Sequence, residues 1–316
     1  MRRRDCLRSV AAGLPAALLA PGLQAQAPAA GAELPVTMPH SLQWDMASDD
    51  GKRQYRIMVA VPAGPAPAGG WPVIHVLDGN AFFATMAEAV RLEAFMAGYA
   101  PAVVVGIGYR IDAPIDVVWR NYDYTPPTGP APEYDDRNPG RLAGGAEVFT
   151  GFLRQRLIPE LVRRVPGASG PACLFGHSYG GLYAVYCFLR APGLYSAVAA
   201  ASPSLWYRKG HVLQLAAQVA DGPRPAGRLL LTVGQEEQEP DAEEAGFLGP
   251  QRSAAMRVLK QVDNLRALGA QLSAQGIDTS ALVFPGETHA SVVPGAISRA
   301  VRFFLHRLPR PDRSPP

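Results

Sequence analysis

The chain has 316 residues, of which 48% are hydrophobic and 18% are charged, and its formal net charge is +3 at pH 7. Four of its 30 basic residues and one of its 27 acidic residues lie within the first 27 residues, so the rest of the chain is close to neutral. A chain that is close to neutral gives no electrostatic argument for nucleic acid or anionic lipid as a binding partner.

The first 30 residues have the pattern of an export signal. Residues 2–4 are basic, residues 9–23 are apolar but too short to span a bilayer, and residues 25–27 offer small side chains for cleavage. Residues 3–8 resemble a twin-arginine motif, and an ordinary secretory signal is the open alternative. We therefore predict an exported, periplasmic protein.

Residues 31–316 suit one large domain with a substantial core, because neither an internal repeat nor a linker divides them. No stretch in this part approaches the length of a membrane span. Cys173 and Cys187 lie in apolar stretches and are predicted to be buried free thiols. No Cys/His cluster has metal-ligand spacing, and we expect no metal or organic cofactor. The oligomeric state is left open.

The first predicted elements are a hairpin and a strand–helix–strand unit. Residues 41–46 and 55–61 alternate partly around a turn and predict two antiparallel strands. Residues 71–77 and 100–107 are more continuous apolar strands, with helical spacing at 84–96 between them. Continuous apolar strands of this kind predict a parallel sheet covered on both faces.

The pattern changes in a Pro- and Tyr-rich segment at about residues 109–142. Its six prolines rule out a long regular element, and its tyrosines alternate with charged residues. A loop of this length is usually functional or disordered. A helix follows, with Phe149, Phe152, Leu153, Leu157 and Leu161 on one face.

A serine motif lies between a strand and a helix. Residues 172–175 fit a buried strand and residues 182–189 a buried helix. Gly176-His177-Ser178-Tyr179-Gly180 between them fits the G-x-S-x-G nucleophile elbow, whose glycines let neighbouring backbone pass closely. The motif predicts Ser178 as a nucleophile.

The remaining elements continue the alternation of strands and helices. Strands are predicted at 197–201, 228–233 and 281–285, and helices at 253–275 and 296–308. With the antiparallel start, this order predicts an α/β protein of the α/β-hydrolase type, in which helices cover both faces of a mostly parallel sheet.

A serine nucleophile needs a base, and the base must itself be oriented. In this fold the acid and then the histidine follow the serine along the chain, which leaves His211, His289 and His306. We predict His289 as the base, because it follows the last strand, at the edge where a catalytic loop belongs.

The acid should follow the strand at 228–233, where four carboxylates occur close together: Glu236, Glu237, Glu239 and Asp241. We predict Glu237 as the acid, with Glu236 as the second choice and the others as a solvated acidic loop. A Ser–His dyad without an acid stays open.

The oxyanion hole is predicted to combine two backbone N–H groups. One belongs to Tyr179, the residue after the nucleophile, and the other to Asn80, in the loop after the third strand. Asp78 in that loop could instead cap the following helix.

Six segments occur together in the order of a known family. They are Val76-Leu77-Asp78-Gly79-Asn80, Arg120-Asn121-Tyr122-Asp123-Tyr124-Thr125-Pro126, Gly144-Gly145-Ala146 leading to Leu157-Ile158-Pro159, Gly176-His177-Ser178-Tyr179-Gly180-Gly181, Ser202-Pro203-Ser204-Leu205-Trp206 and Thr288-His289-Ala290-Ser291. Over residues 40–306 the chain resembles the putative-esterase branch of the α/β-hydrolases. It is similar there to the siderophore esterases that open trilactones of the enterobactin, salmochelin and bacillibactin type.

The resemblance implies roles for three residues. The family's serine and histidine match Ser178 and His289, some members lack a conventional acid, and Arg120 would lie near a bulky aromatic substrate. A structural salt bridge of Arg120 is the open alternative.

We therefore expect a serine esterase that forms an acyl-enzyme from a small-molecule ester, a siderophore trilactone or a generic acyl or aryl ester. Two alternatives remain: an acyltransferase that uses the same catalytic residues, and a non-catalytic binding protein.

Overall fold

The computed structural model describes residue 33, residues 36–221 and residues 224–310. The predicted export signal, residues 1–30, lies outside the described residues. Met38 begins the compact unit that contains the strands and helices given below. Within the described part of the chain, no helix is both long enough and apolar enough to cross a membrane.

Ten strands lie within the described residues, and eight of them form one sheet. In chain order the strands are β1 (Ser41–Ala47), β2 (Gln54–Ala60), β3 (Val73–Leu77), β4 (Val103–Tyr109), β5 (Glu133–Tyr134), β6 (Leu142–Ala143), β7 (Ala172–His177), β8 (Ala197–Ala201), β9 (Arg228–Gly234) and β10 (Asp278–Phe284). The spatial order of the large sheet is β1-β2-β4-β3-β7-β8-β9-β10.

The pairing of the strands confirms the predicted fold class. β2 is antiparallel to both β1 and β4, whereas each pair from β4 to β10 across the sheet is parallel. β3, β4 and β8 are buried at each position, as expected for strands covered on both faces. The predicted N-terminal hairpin and the mostly parallel sheet are both present.

Helices cover the two faces of the sheet. They are α1 (Gly79–Leu92), α2 (Trp119–Asp123), α3 (Ala146–Phe152), α4 (Ile158–Arg164), α5 (Tyr179–Arg190), α6 (Tyr207–Ala217), α7 (Ala242–Leu248), α8 (Pro250–Leu259), α9 (Gln261–Ala274) and α10 (Val292–Leu305). α1 and α10 share one apolar core with one face of the sheet, and α3 to α6 and α9 share a second core with the other face. α1 continues into a π-helical turn, and another π-helical turn joins α3 to α4.

One predicted helix is wrong. The pattern at 253–275 predicted a single helix, whereas the structure has α8 and α9, separated at Lys260. Lys260 adopts a left-handed conformation, with φ 50° and ψ 44°, and a residue in that region cannot continue a right-handed helix.

The Pro- and Tyr-rich segment has no long regular element, as predicted, but it is anchored to the sheet. The buried carboxylate of Asp123, at the end of α2, accepts hydrogen bonds from the hydroxyls of Tyr55 and Tyr109, each at 2.9 Å. Arg53 Nε lies 3.4 Å from the other carboxylate oxygen. These contacts hold α2 against β2 and β4.

Cys173 and Cys187 are free and buried, which confirms the prediction of buried free thiols.

Candidate active site

Ser178 occupies a sharp turn between the end of β7 and the start of α5. Its backbone has φ 60° and ψ −118°, a strained conformation of the kind found at functional sites. A Cβ on Gly176 would lie 2.2 Å from the carbonyl oxygen of Gly180, and a Cβ on Gly181 would lie 2.6 Å from that of Ala201. Glycine at both positions therefore permits the turn that presents Ser178.

His289 lies in the loop after β10, and Glu237 lies in the turn that directly follows β9. His289 Nδ1 and Glu237 Oε2 are 2.6 Å apart. The Glu237 side chain is 3% exposed and that of His289 is 48% exposed. Because an ionised carboxylate only accepts hydrogen bonds, Nδ1 carries the proton of the neutral ring and Nε2 is left as its basic nitrogen.

The Glu237 carboxylate is also held on its other side. Oε1 accepts a hydrogen bond from the hydroxyl of buried Ser202 at 2.5 Å and one from the backbone N–H of Gly234 at 2.8 Å. These donors leave Oε2 directed at His289. Sequence reasoning did not single out Ser202, although it lies in one of the segments that carry the resemblance.

Two of the other candidate carboxylates have different partners. Glu239 lies 3.3 Å from the guanidinium of Arg257, and Asp241 accepts a hydrogen bond from the N–H of Glu244 and so caps α7. The N–H of Glu236 donates to the carbonyl of Glu287. Of the four candidates, Glu237 is the one that contacts His289.

His177 is a neighbour of His289 that sequence reasoning missed. Its Nε2 lies 2.8 Å from the carbonyl oxygen of His289, and the two ring centroids are 4.5 Å apart. Burial lowers the pKa of His177 to about 3, so the ring is neutral at physiological pH. Since a carbonyl only accepts, Nε2 of His177 donates. Its position inside the serine motif was the available signal.

Two clefts meet at Ser178. The first, of about 300 Å³, is here called the arginine cleft, and it is lined by Arg120, Arg137, Asn138, Ser178, Tyr179, Ser204 and Trp206. The second, of about 450 Å³, is called the histidine cleft. It also contains Ser178, Arg137, Ser204 and Trp206, and adds Glu237, Thr288, His289 and a wall from α7 and α8.

Arg120 forms the salt bridge that the sequence left open, and its contact with a substrate stays a prediction. Its Nε and one terminal nitrogen donate to the two carboxylate oxygens of Asp78, each at 2.9 Å. The same side chain lines the arginine cleft. Asp78 occupies the N-cap position of α1, as the alternative reading of the sequence had it, but its carboxylate pairs with Arg120 and makes no helix-capping hydrogen bond.

The two expected oxyanion donors begin helices. Tyr179 is the first residue of α5 and Asn80 is the second residue of α1, where N–H groups have no acceptor within the helix. The Asn80 side chain hydrogen-bonds the backbone of Tyr109 and Ile111, which fixes the start of α1 against the end of β4. Tyr179 lines the arginine cleft beside Ser178. The use of both N–H groups as oxyanion donors stays a prediction.

The Pro- and Tyr-rich segment also places Arg137 in the cleft that contains Ser178. The guanidinium of Arg137 lies 4.4 Å from the ring centroid of Trp206, a cation–π distance. Asp135 positions the turn that contains Arg137 and Asn138. Its carboxylate accepts hydrogen bonds from the backbone N–H groups of both residues and from the hydroxyl of Tyr179. Sequence reasoning did not single out Arg137.

Comparisons with known proteins show the family of the chain. The family model described as "Putative esterase" matches residues 48–272. The ferri-bacillibactin esterase BesA of Bacillus subtilis is 35% identical over 272 residues, which cover 83% of this chain and 88% of the relative.

Two solved structures are similar over most of the chain. The siderophore hydrolase EstA from Aspergillus nidulans has 30% identity and a TM-score of 0.75, over 87% of this chain and 98% of that one. An IroE-like serine hydrolase from Shewanella oneidensis has 26% identity and a TM-score of 0.66, over 84% and 80%. The chain belongs to the Putative esterase family and is a serine-type ester hydrolase with the α/β-hydrolase fold.

Proposed function

We propose that Ser178 is the nucleophile, His289 the general base and Glu237 the acid that orients it. The observation that carries this assignment is the 2.6 Å contact between His289 Nδ1 and Glu237 Oε2, in a cleft that Ser178 also lines. The contact directs the basic nitrogen of His289 away from Glu237, and a serine hydroxyl needs such a base.

The proposed reaction has two stages. Ser178 Oγ attacks the ester carbonyl while His289 Nε2 takes the hydroxyl proton. When the bond to the alcohol oxygen breaks, His289 returns that proton to the leaving alkoxide, which leaves Ser178 acylated. Water then attacks the acyl-enzyme by the same proton transfers and releases the acid. The N–H groups of Tyr179 and Asn80 stabilise the charge that develops on the carbonyl oxygen.

We infer that the substrate is a bulky cyclic ester of the siderophore trilactone class. BesA is a ferri-bacillibactin esterase and EstA is a siderophore hydrolase, and the chain matches both over most of its length. Two clefts that both contain Ser178 leave room for a substrate with two bulky parts. Arg120 lines one of these clefts and is proposed to contact the substrate while it remains paired with Asp78.

Turnover of two esters tests the assignment. Hydrolysis of a short p-nitrophenyl ester and of a trilactone siderophore, ferric and iron-free, should be abolished by Ser178→Ala and by His289→Ala. His306→Ala, at the end of α10, is the matched control and should retain activity. A fluorophosphonate probe should label the wild type but not Ser178→Ala. Absence of both labelling and turnover in the wild type would overturn the proposed roles. A preference for the short ester would overturn the proposal that the substrate is a siderophore trilactone.

We also propose that the protein is exported to the periplasm by the signal at residues 1–30. The basic start and the short apolar stretch of the sequence support this. Fractionation of cells that express the full chain should place the shortened protein in the periplasm. Replacement of both Arg3 and Arg4 by Lys should block export by the twin-arginine route and leave an ordinary secretory route working. Full-length protein in the cytoplasm of the wild type would contradict export.

A further inference from the structure

We propose that the arginine cleft binds the acyl part of the ester and selects an anionic group there, whereas the histidine cleft binds the alcohol part. This inference rests on the proposed roles of Ser178 and His289. It adds an orientation of the substrate and a charge preference that those roles do not contain.

The position of His289 sets the orientation. The proton on its Nε2 must reach the oxygen of the leaving alcohol, so that oxygen has to lie on the side of Ser178 that faces His289. His289 lines the histidine cleft together with Ser178. The alcohol therefore departs into that cleft. Tyr179, a proposed oxyanion donor, lines the arginine cleft, which leaves this second direction for the acyl chain.

The charges of the two clefts differ. In the arginine cleft, the charge of Arg120 is balanced by Asp78, whereas Arg137 forms no ion pair with any carboxylate among the described residues. An unpaired guanidinium that lies on an aromatic ring is a suitable partner for a carboxylate or a catecholate oxygen. Asn138 adds an amide donor or acceptor to the same cleft.

The histidine cleft is closer to electrical balance and more apolar. It contains Arg252 together with Glu244, and Glu237 beside His289. Phe247, Leu248 and Met256 of α7 and α8 form an apolar wall, and the Phe247 ring is 85% exposed. Although Arg137 borders both clefts, Glu237 and Glu244 line the histidine cleft, whereas no carboxylate lines the arginine cleft among the described residues. The Asp135 carboxylate near Arg137 already accepts two backbone N–H groups and the Tyr179 hydroxyl. The acyl side is therefore the favoured position for negative charge.

Four chromogenic esters, in two matched pairs, test the proposal. Mono-4-nitrophenyl adipate has an anionic acyl group, methyl 4-nitrophenyl adipate is its neutral match, and 3-carboxy-4-nitrophenyl butyrate, compared with 4-nitrophenyl butyrate, places the charge on the alcohol. The wild type should prefer the anionic over the neutral adipate in kcat/KM, by about three- to tenfold for a partly exposed charge. No such preference is expected for the charged alcohol.

Two arginine variants assign the preference to one cleft. Arg137→Gln should remove most of the preference between the two adipates, whereas Arg252→Gln in the histidine cleft should leave that ratio unchanged. A preference that survives Arg137→Gln, or one that follows charge on the alcohol, would overturn the proposal. Failure of the proposed nucleophile is distinguishable, because Ser178→Ala would then hydrolyse the neutral adipate as fast as the wild type.

Discussion

The proposed acid is held by more contacts than a surface carboxylate usually has. Glu237 accepts from Ser202, Gly234 and His289, and its side chain is almost fully buried. Such a residue fixes both the orientation and the tautomer of the base, so its loss should reduce the chemical step more than substrate binding.

We expect Glu237→Gln to lower kcat by about 10³- to 10⁴-fold with little change in KM, because the amide no longer favours a proton on His289 Nδ1. Steady-state kinetics with the p-nitrophenyl ester measure this. Glu239→Gln, at a residue that pairs with exposed Arg257, is the control and should be close to the wild type. A loss below tenfold in Glu237→Gln would support a Ser–His dyad instead.

His177 helps to position the proposed base, His289, through a hydrogen bond to its backbone carbonyl. Its Nε2–H donates to the carbonyl of His289 at 2.8 Å, and it lies outside the residues that line the two clefts. His177→Leu should therefore lower kcat by about tenfold to a hundredfold while KM changes little, since a small displacement of a catalytic group can cost that much.

His177→Gln separates a positioning role from a packing role. The amide nitrogen of Gln can occupy the place of Nε2, so this variant should recover much of the activity that His177→Leu loses. Kinetics over a range of pH, with thermal unfolding measured in parallel, provide the test. Equal losses in the two variants, in proportion to lost stability, would show that His177 only fills space.

At the scale of single residues, motif and chain order were enough to select Ser178, His289 and Glu237 as candidates. They could not reveal His177, Ser202 or Arg137 as neighbours of that site. These contacts join residues that are distant in sequence, and each depends on where the tertiary fold places a loop. The serine motif contains His177 and one segment of the resemblance contains Ser202, but neither pattern shows which distant residue each side chain contacts.

Among the elements, the Pro- and Tyr-rich segment has the largest effect on the site, because it carries Arg120 and Arg137. Its attachment depends on Asp123, which has no exposed surface, and on the Arg53 guanidinium beside it. Removal of one partner would leave the other charge buried without compensation.

Asp123→Ala should lower the free energy of unfolding by about 3–5 kcal/mol, the range for breaking a buried ion pair. Asp49→Ala is the matched control, because exposed Asp49 pairs with exposed Arg156 and should contribute about 0–1 kcal/mol. Urea denaturation measures both values, and limited proteolysis should cleave Asp123→Ala first within residues 109–142. Similar stabilities of the two variants would contradict the anchoring role.

The elements also show where hydrophobic patterns are insufficient. Residues 253–275 keep a helical spacing through Lys260 and contain neither proline nor glycine near it, so the break between α8 and α9 has no signal in composition. The break follows from tertiary packing, since α9 buries Val262, Leu265 and Leu268 against the sheet, whereas α8 buries only Ser253. Local propensity cannot anticipate this change of direction.

For the whole molecule, the alternation of strands and helices was sufficient to predict the sheet, its antiparallel start and its two covered faces.

A buried histidine in the central sheet affects the stability of the protein at low pH. His75 lies within β3, is 2% exposed, and neither of its ring nitrogens has a hydrogen-bond partner among the described residues. Burial lowers the pKa of His75 to about 4.

This lowered pKa determines how the stability changes with pH. In the unfolded chain the pKa of His75 is near 6.5, so between about 6.5 and 4 the unfolded state binds more protons than the folded state. The contribution of His75 to the free energy of unfolding should therefore fall as the pH falls through this window, by about 1.4 kcal/mol per pH unit. His177, with its pKa lowered to about 3, contributes in the same direction. Asp123, whose pKa burial raises to about 7, contributes in the opposite direction.

His75→Leu should make the stability less dependent on pH, whatever its effect at pH 7, because it removes one of the groups that take up protons on unfolding. Urea denaturation at pH 7 and pH 5 gives the difference for each variant, and that difference should be smaller in His75→Leu than in the wild type by about 1–2 kcal/mol. His306→Leu, at an exposed position after α10, should leave the difference unchanged. An unaltered difference in His75→Leu would mean that His75 is charged in the folded protein, and that the core around β3 admits water.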